Sequence, residues 1–492
     1  MVESTVLSPH PVLFIKSISE QGYSLSTAIA DLIDNSIAAR ATHIDILADA
    51  SQQSLKIFIA DNGLGMVSER LTSAMRFPSA DVDDIRAGND LGRFGLGLKT
   101  ASFSQSRSFT VISRTDISDY AGRTWDVEYL KKTDNWSLII ESQNHIEELL
   151  SEYKQISNNF HGQRKDFNLK TLIIWRDLYK LERLRKRDDI SDELEDLRSH
   201  IGLVFHRFIQ SGKITIRLNN SLIEAFDPFP LHCSDVQKVS ENFWKTGETY
   251  IRFEGIILPK RSAQESREPN SIWASGGRTL EELQGIYVYR NKRLINFGGW
   301  LRTITKSSYL QFGRIKIDIT NINDSEFHLN VAKSSLKIPF ELKRAMTTMV
   351  SQVAEQATKE YRERLASNVI KPSRKSKGLS LIIKETGAAG PRLKINPDFE
   401  VLRQLQTQID PESSGRLDVL LTLIERKMNE LWKGEIGSDD TSIMLDEALK
   451  QRIIKLKKYY EESDYSWEEI KFLLLDSFGR DHETELFITS LK

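Results

Sequence analysis

The sequence predicts an α/β (α+β) protein: two consecutive α/β layers followed by a small, mostly helical C-terminal unit. Three observations lead there. An amphipathic helical stretch at 28–39 precedes several short apolar runs of strand character, broken by glycine-rich turns. A similar mixture of helical and extended periods begins again after residue 200. Beyond residue 397 only helical periods remain.

At 492 residues the chain exceeds one ordinary core, and the length prior is about three domains. With 39% hydrophobic and 28% charged residues it reads as soluble and globular rather than disordered or fibrous. The 68 Lys and Arg nearly balance the 69 Asp and Glu, so no global positive field advertises nucleic acid, although a local basic face stays open. Cys233 is the single cysteine. This excludes an intramolecular disulfide and a multi-cysteine metal site. The first eleven residues lack a basic segment followed by an apolar core, so no signal peptide is expected. No run approaches the ~18 consecutive apolar residues of a membrane span. The expected compartment is cytoplasmic, with no membrane partner.

In residues 28–39, at about 100° per residue, Ile29, Leu32, Ile33 and Ile37 fall on one side of a helix. Asp31 and Asn35, one turn apart, fall on the other with Ala28 and Ala38. That pattern suits a helix packed on a core and facing a pocket, and it equally suits an ordinary solvated helix face.

Residues 43–48 and 54–60 read as strands, the second nearly continuous in apolar residues. It runs into Asp61-Asn62-Gly63-Leu64-Gly65-Met66. Asp-Asn-Gly is turn chemistry. The same residues could present the Asp61 carboxylate to an exocyclic amine while Gly63 and Gly65 let the backbone pass close to a flat ring. Residues 67–91 are polar and aperiodic, and a loop of that length in a compact domain suggests a lid. It ends in Gly92-Arg93-Phe94-Gly95-Leu96-Gly97-Leu98-Lys99. Three glycines opening into a helix-compatible stretch suit a loop whose N–H groups wrap phosphates, with Lys99 as a cation at its mouth. The spacing is neither GxxxxGK[ST] nor GxGxxG.

Further strands are expected at 109–113, 125–129, 136–140 and 170–175, the last with Thr171 at its start. The first ~180 residues thus read as helices on one face of a mixed sheet. The charged segment 179–197 reads as an exposed helix or connector. A helix at 201–209 and strands at 213–218, 222–225, 249–257, 284–290 and 314–319 compose the second layer. The stretch 259–277 reads as a surface loop. A long helix at 341–365 is followed by a linker at 366–397 and by helical runs near 398–409, 414–432, 441–461 and 465–475.

Asp31-Leu32-Ile33-Asp34-Asn35, Asp61-Asn62-Gly63-Leu64-Gly65 and Gly92-Arg93-Phe94-Gly95-Leu96-Gly97 resemble, in order, the successive motifs of the GHKL superfamily. This group spans type II topoisomerases, the large heat-shock chaperones, histidine kinases, MutL and MORC proteins. Lys170-Thr171-Leu172-Ile173-Ile174-Trp175 stands where the fourth motif brings a Thr beside the adenine-reading Asp. The resemblance, good over residues 12–180, implies the Bergerat ATP-binding fold, a two-layer sandwich. Histidine kinases carry a phosphoacceptor His on an upstream dimerisation helix, which is not expected within the residues before 20. Tyr287-Val288-Tyr289-Arg290-Asn291-Lys292-Arg293-Leu294-Ile295 and residues 200–208 resemble the S5-type transducer of MORC, MutL and gyrase. Asn330-Val331-Ala332-Lys333 is similar to the segment carrying the transducer lysine. The overall resemblance is to bacterial MORC-like or MutL-like ATPases with an S5-type transducer, and Lys99 inside the glycine loop favours MORC-like proteins over gyrase or MutL. The implied domains are 1–180 for ATP binding, 181–345 for the transducer, 346–395 for helix and linker, and 396–492 for helical interaction.

The resemblance further implies roles. Asn35 would coordinate Mg²⁺ bridging the phosphates. Asp61 would accept from the adenine amine, with Ala38, Gly63, Gly65, Met66 and Thr171 lining the nucleotide. Gly92, Arg93, Phe94, Gly95, Leu96, Gly97 and Leu98 would hold the phosphates, assisted by Lys99. Lys333 would reach the γ-phosphate. The family's general base is usually a Glu four residues before the Asn, and here that residue is Asp31. A carboxylate one methylene shorter retracts from the attacking water, and ~1 Å of misplacement can cost on the order of a hundredfold. Either the backbone compensates or hydrolysis is slow. Asp34, nearer the apolar stripe, is the weaker candidate for that role.

The function so implied is an ATPase acting as an ATP-gated homodimeric clamp. A DNA-associated role in restriction or anti-phage defence, with helicase and nuclease partners, follows by analogy with bacterial MORC-like proteins. The alternatives are a nucleotide-dependent scaffold or sensor with little turnover, and a chaperone-like ATPase.

Overall fold

The computed structural model describes residues 9–20, 22–49, 55–77, 97–160, 167–179, 187–229, 236–246, 249–258, 278–320, 327, 339–370, 381–387, 390–433, 447–462, 465–478 and 482–492. The chain divides into two compact units, Met1–Thr358 and Lys359–Lys492.

The first unit opens with helices α1 (Pro11–Ser19) and α2 (Leu25–Ala38) and strands β1 (His43–Asp49) and β2 (Lys56–Asp61). Ser24 starts α2 with a reciprocal cap: its hydroxyl accepts from Thr27 N, and the Thr27 hydroxyl accepts from Ser24 N. There follow α3 (Ser68–Ala74), α4 (Gly97–Gln105), β3 (Ser106–Ser113), β4 (Ala121–Asp126), α5 (Val127–Thr133), β5 (Ile139–Ile140) and α6 (Gln143–Asn159). Next come β6 (Thr171–Leu178), α7 (Arg187–Val204), α8 (His206–Gln210), β7 (Thr215–Leu218) and β8 (Ser221–Leu222). The strands form one mixed sheet in the order β5-β4-β3-β6-β2-β1-β7-β8, with β1 and β7 parallel.

Alternation along the strands explains the layers. Ile44 and Ile46 of β1 and Ile57 and Ile59 of β2 join one core with Ile29, Leu32 and Ile33 of α2, Ala101 and Phe103 of α4, and Leu197 and Ile201 of α7. Leu47, Phe58 and Ala60 point the other way, onto Ile146, Leu149 and Tyr153 of α6. Because both faces of β2 are covered, its apolar run is continuous rather than alternating.

Several elements differ from expectation. The strand expected at 125–129 ends at Asp126, whose side chain accepts from Tyr129 N at 2.8 Å and caps α5 instead. Within 67–91, expected as a loop, α3 forms and buries Leu71, and 78–91 lies outside the described residues. The stretch 136–140 contributes only β5. The segment β7–β8, within the range expected for the second domain, joins the first sheet beside β1.

A second sheet of this unit contains β9 (Gln237–Thr246), β10 (Thr249–Ile257), β11 (Gly285–Arg290), β12 (Arg293–Asn296) and β13 (Gly313–Ile319), in the order β12-β11-β13-β10-β9. Leu203 of α7 packs with Ile256, Tyr287, Tyr289 and Leu294, so α7 contributes to the cores of both sheets. Helix α9 (Phe340–Ile370) lays Val353 and Ala357 against Gly313, where a Cβ would lie 3.0 Å from Val353 Cγ1. The loop expected at 259–277 lies outside the described residues.

In the second unit the stretch expected as linker contains a hairpin, β14 (Ile382–Gly387) and β15 (Gly390–Ile395). Asn429, on α11 (Pro411–Lys433), accepts from Leu393 N at 2.8 Å and ties the hairpin to the helices. The remaining helices are α10 (Glu400–Gln408), α12 (Glu447–Glu462), α13 (Trp467–Phe478) and α14 (His482–Ser490), the last not expected from sequence. Ile453, Leu456, Ile470, Leu474, Phe478 and Ile488 form their shared core. Among the described residues no helix is long and apolar enough to cross a membrane.

Candidate functional site

The central strands bring three polar side chains to one sheet end. Asp61 ends β2 and pairs with Thr171 on β6, which in turn pairs with Ser113 on β3. The Asp61 carboxylate is buried, and it accepts from Ser36 Oγ at 2.9 Å and from Gly63 N at 2.9 Å. Burial raises its pKa above the ordinary carboxylate value, while these two hydrogen bonds act in the opposite direction. Thr171 Oγ1 lies 3.0 Å from Ser113 Oγ, which also accepts from Met66 N at 2.9 Å. Asp61, Met66 and Thr171 are therefore linked through Ser113 and the strand ladder.

The turn after β2 explains its glycines. At Gly63 a Cβ would lie 2.7 Å from the Ala39 carbonyl oxygen, because the turn lies on the C-terminal end of α2. At Gly65 φ is +66°, and a Cβ would lie 1.7 Å from the Arg114 carbonyl oxygen. Conformation and space both demand glycine there. The contacts that require glycine at these positions are with the protein's own backbone.

Helix α2 forms the opposite side. Asn35 and Ala38 are exposed, whereas Asp31, one turn earlier, and Asp34 are buried. Asp31 Oδ2 accepts from the Tyr23 hydroxyl at 3.0 Å. Burial, reinforced by the charge of Asp31, raises the Tyr23 phenol above its ordinary range. Asp34 is bonded by Arg293 of β12, 259 residues away in sequence, with Nε 2.9 Å from Oδ1. The same guanidinium places Nη2 3.6 Å from Asp31 Oδ1.

Gly97 starts α4, and Leu98 is partly buried against the main core. Lys99 is fully buried: Nζ donates to Ala74 O at 2.9 Å and lies 5.4 Å from the centroid of the Phe77 ring. Burial pushes its pKa down to about 8. The expectation placed this ammonium at the mouth of a phosphate loop, whereas here it is bonded to the C-terminal end of α3. Gly92, Arg93, Phe94, Gly95, Leu96 and Lys333 lie outside the described residues.

The structure adds Ser36, Ser113, Tyr23 and Arg293 to the residues named from sequence. A hydroxyl beside Asn35 on the inner side of α2 is a weak signal for Ser36. Arg293 stands in the stretch that resembles the transducer, but nothing local marks it as a partner of α2. Among the described residues no group of three or more His, Cys, Asp or Glu could hold a metal ion by itself. A carboxamide such as Asn35 supplies one oxygen, which suits a magnesium ion that keeps waters and is otherwise bound by phosphates.

Chemically, the site offers a buried carboxylate acceptor at the sheet end and an exposed carboxamide and a second buried carboxylate on the helix. Residues 23–162 match the family model described as histidine kinase-, DNA gyrase B- and HSP90-like ATPase. The ATPase morc-1 of Caenorhabditis elegans is 33% identical over 105 residues, which are 21% of this chain and 12% of that protein. The chain thus matches only a small part of that relative. A solved structure titled as the N-terminal domain of a DNA repair protein superposes with a TM-score of 0.42 at 16% identity, covering 72% of this chain and 99% of that one.

Proposed function

We propose that the GHKL-type, MORC-like ATPase domain formed around residues 23–162 binds Mg-ATP and hydrolyses it slowly, driving an ATP-gated homodimeric clamp. The observation that carries this reading is the buried Asp61 carboxylate, fixed by Ser36 and Gly63 N at the sheet end and facing a helix whose Asn35 is exposed. Asp61 accepts the exocyclic amine of adenine, with Ala38, Gly63, Gly65, Met66 and Thr171 around the ring. Asn35 would hold Mg²⁺, which would supply neutralising charge to the phosphates. By the resemblance, the residues from Gly92 to Leu98 would hold the phosphates and Lys333 would reach the γ-phosphate. Asp31 takes the proton of the attacking water as its oxygen bonds to phosphorus and ADP leaves.

Lys99 assists at the phosphates only by leaving Ala74 O. The domain ranges 1–180, 181–345, 346–395 and 396–492 serve binding, transduction, linkage and interaction, with β7–β8 tying the second range to the first sheet. Association with DNA, and service in a cytoplasmic defence system with helicase and nuclease partners, extend this reading by analogy.

The test is direct. Purified protein with Mg-ATP dimerises in light scattering and releases phosphate; binding without release sinks the enzyme reading. Asn35→Ala abolishes nucleotide binding, and Asp31→Asn stops turnover while sparing binding. Intact turnover in Asp31→Asn would remove Asp31 as the base. DNA retention measured across salt weakens steeply if phosphates are contacted. A nucleotide-dependent scaffold or sensor is the second reading, favoured by the engagement of the short Asp31 carboxylate with Tyr23 and Arg293.

A further inference from the structure

A cation from the second sheet is buried against the acidic side of α2. Arg293 is buried, and its Nε lies between the two oxygens of Asp34, at 2.9 Å from Oδ1 and 2.8 Å from Oδ2. Its Nη2 reaches within 3.6 Å of Asp31 Oδ1. The guanidinium carbon lies 5.8 Å from the centroid of the Phe205 ring, just beyond the end of α7. On the far side, Asp31 Oδ2 receives the Tyr23 hydroxyl.

Asp31 and Asp34 are three residues apart on one helix, so their carboxylates are neighbours. Two buried carboxylates in that relation repel, and a guanidinium shared between them offsets the repulsion. The planar fork of arginine has a fixed direction, unlike the point charge of lysine. That direction is set by β12, through the pairing of Arg290 with Arg293 and of Tyr289 with Leu294 in β11–β12. Asp34 anchors the fork, and the fork's outer nitrogen faces Asp31.

We propose that Arg293 is a positioning residue for Asp31, so that the placement of the hydrolytic carboxylate depends on the second sheet. This rests on the reading of Asp31 as general base. A carboxylate one methylene shorter than glutamate has less reach, so its placement is the more sensitive. Asp34, the weaker candidate for the base, acquires a role as the anchor. Movement of the second sheet relative to α2 reaches the chemistry through one side chain, independently of Lys333.

The experiment uses the full chain as wild type, Arg293→Lys, Arg293→Met, Asp34→Asn and the Asp34→Asn/Arg293→Met double variant. Affinity for Mg-ATP and phosphate release at saturating ATP are measured on each. In Arg293→Met, kcat falls on the order of tenfold to a hundredfold. Its nucleotide Kd stays within about threefold of wild type, as expected when ground-state binding is untouched. Arg293→Lys recovers part of the loss only. Asp34→Asn lowers kcat in the same direction, and the losses in the double variant are less than multiplicative because both act through one contact.

Unchanged kcat in both arginine variants overturns the proposal. So does wild-type kcat in Arg293→Lys, which would mean that charge alone is required. If Arg293→Met does not fold, Arg293→Lys decides. If the wild type binds ATP and releases no phosphate, the base reading fails separately, and amide exchange over residues 28–35 with bound nucleotide becomes the readout. Arg293→Lys then exchanges faster there than the wild type, and equal exchange overturns the positioning role.

Discussion

Replacing Lys99 with Met removes an ammonium buried between Ala74 O and the Phe77 ring, and the pH dependence of stability should record the loss. Burial lowers the lysine from 10.5 to about 8. At 1.36 kcal/mol per unit, that difference is on the order of 3 kcal/mol. The sign follows from proton counts. Below about pH 8 both the folded and the unfolded chain hold the proton, and the folded state bears the whole cost of a buried charge. Between there and 10.5 the folded chain has released the proton while the unfolded chain still holds it, so stability rises with pH. Above 10.5 the gain is complete. Methionine keeps an unbranched apolar stem beside Phe77 and has no such titration. Urea unfolding of both proteins at intervals from about pH 7 to 11 measures the difference. The wild type should gain on Lys99→Met by on the order of 3 kcal/mol across that range. A difference that stays flat, or that moves against the wild type, would refute the placement of this ammonium in the core.

His200 gives a slope of the same sign in the acid range: burial, with help from Arg293 and Arg278, lowers its pKa from 6.5 to about 3. The unfolded chain binds a proton below 6.5 that the folded chain refuses, so stability falls as pH drops from there toward 3. In His200→Gln, urea midpoints should fall less over the same acid range, and an unchanged slope would count against the buried neutral imidazole. Gly65→Ala meets both the left-handed penalty of about 1–2 kcal/mol and a backbone oxygen in the way. It should lower Tm and abolish nucleotide binding together; a wild-type Tm would mean that the turn can bend aside. Asp61→Asn should weaken adenine-nucleotide binding at every pH. In the wild type, affinity should decline with acid at a pH above the ordinary carboxylate range, because burial raises Asp61. Titration of a fluorescent ATP analogue measures both, and equal affinities in the two proteins would remove Asp61 as the acceptor.

Much of the fold near the site was legible because its signals are local. The stripe of Ile29, Leu32 and Ile33 on α2 reports a period of about 3.6 residues, and these side chains enter the core as that period requires. The run Ile57 to Ala60 is apolar because both faces of β2 are covered. The glycines after Asp61 mark a turn whose geometry no side chain could occupy, as Gly65 shows. Local cues were also misread. Asp126 lies inside an extended, aromatic run, yet its side chain caps a helix that β-branched and aromatic residues then enter. Likewise α3 was hidden in a polar stretch, since a short helix burying only Leu71 gives almost no periodic signal.

What the sequence by itself determined is therefore what a residue and its neighbours within a turn or a strand can specify: α2, β2, the Asp61 turn and the polar positions they carry. The tertiary structure alone decided which of those polar groups meet. Ser36 joins Asp61 because α2 crosses the end of β2, and β7 pairs with β1, an alignment that the bond from Ala48 N to Asn219 Oδ1, 171 residues on, extends. It also turned Lys99 inward to Ala74, and it brought Arg293 onto Asp34 and Asp31. Periodicity encodes which face is buried, over distances of a few residues. The partner of a buried charge is set by packing between elements that lie from tens to hundreds of residues apart, and no short-range pattern carries that information.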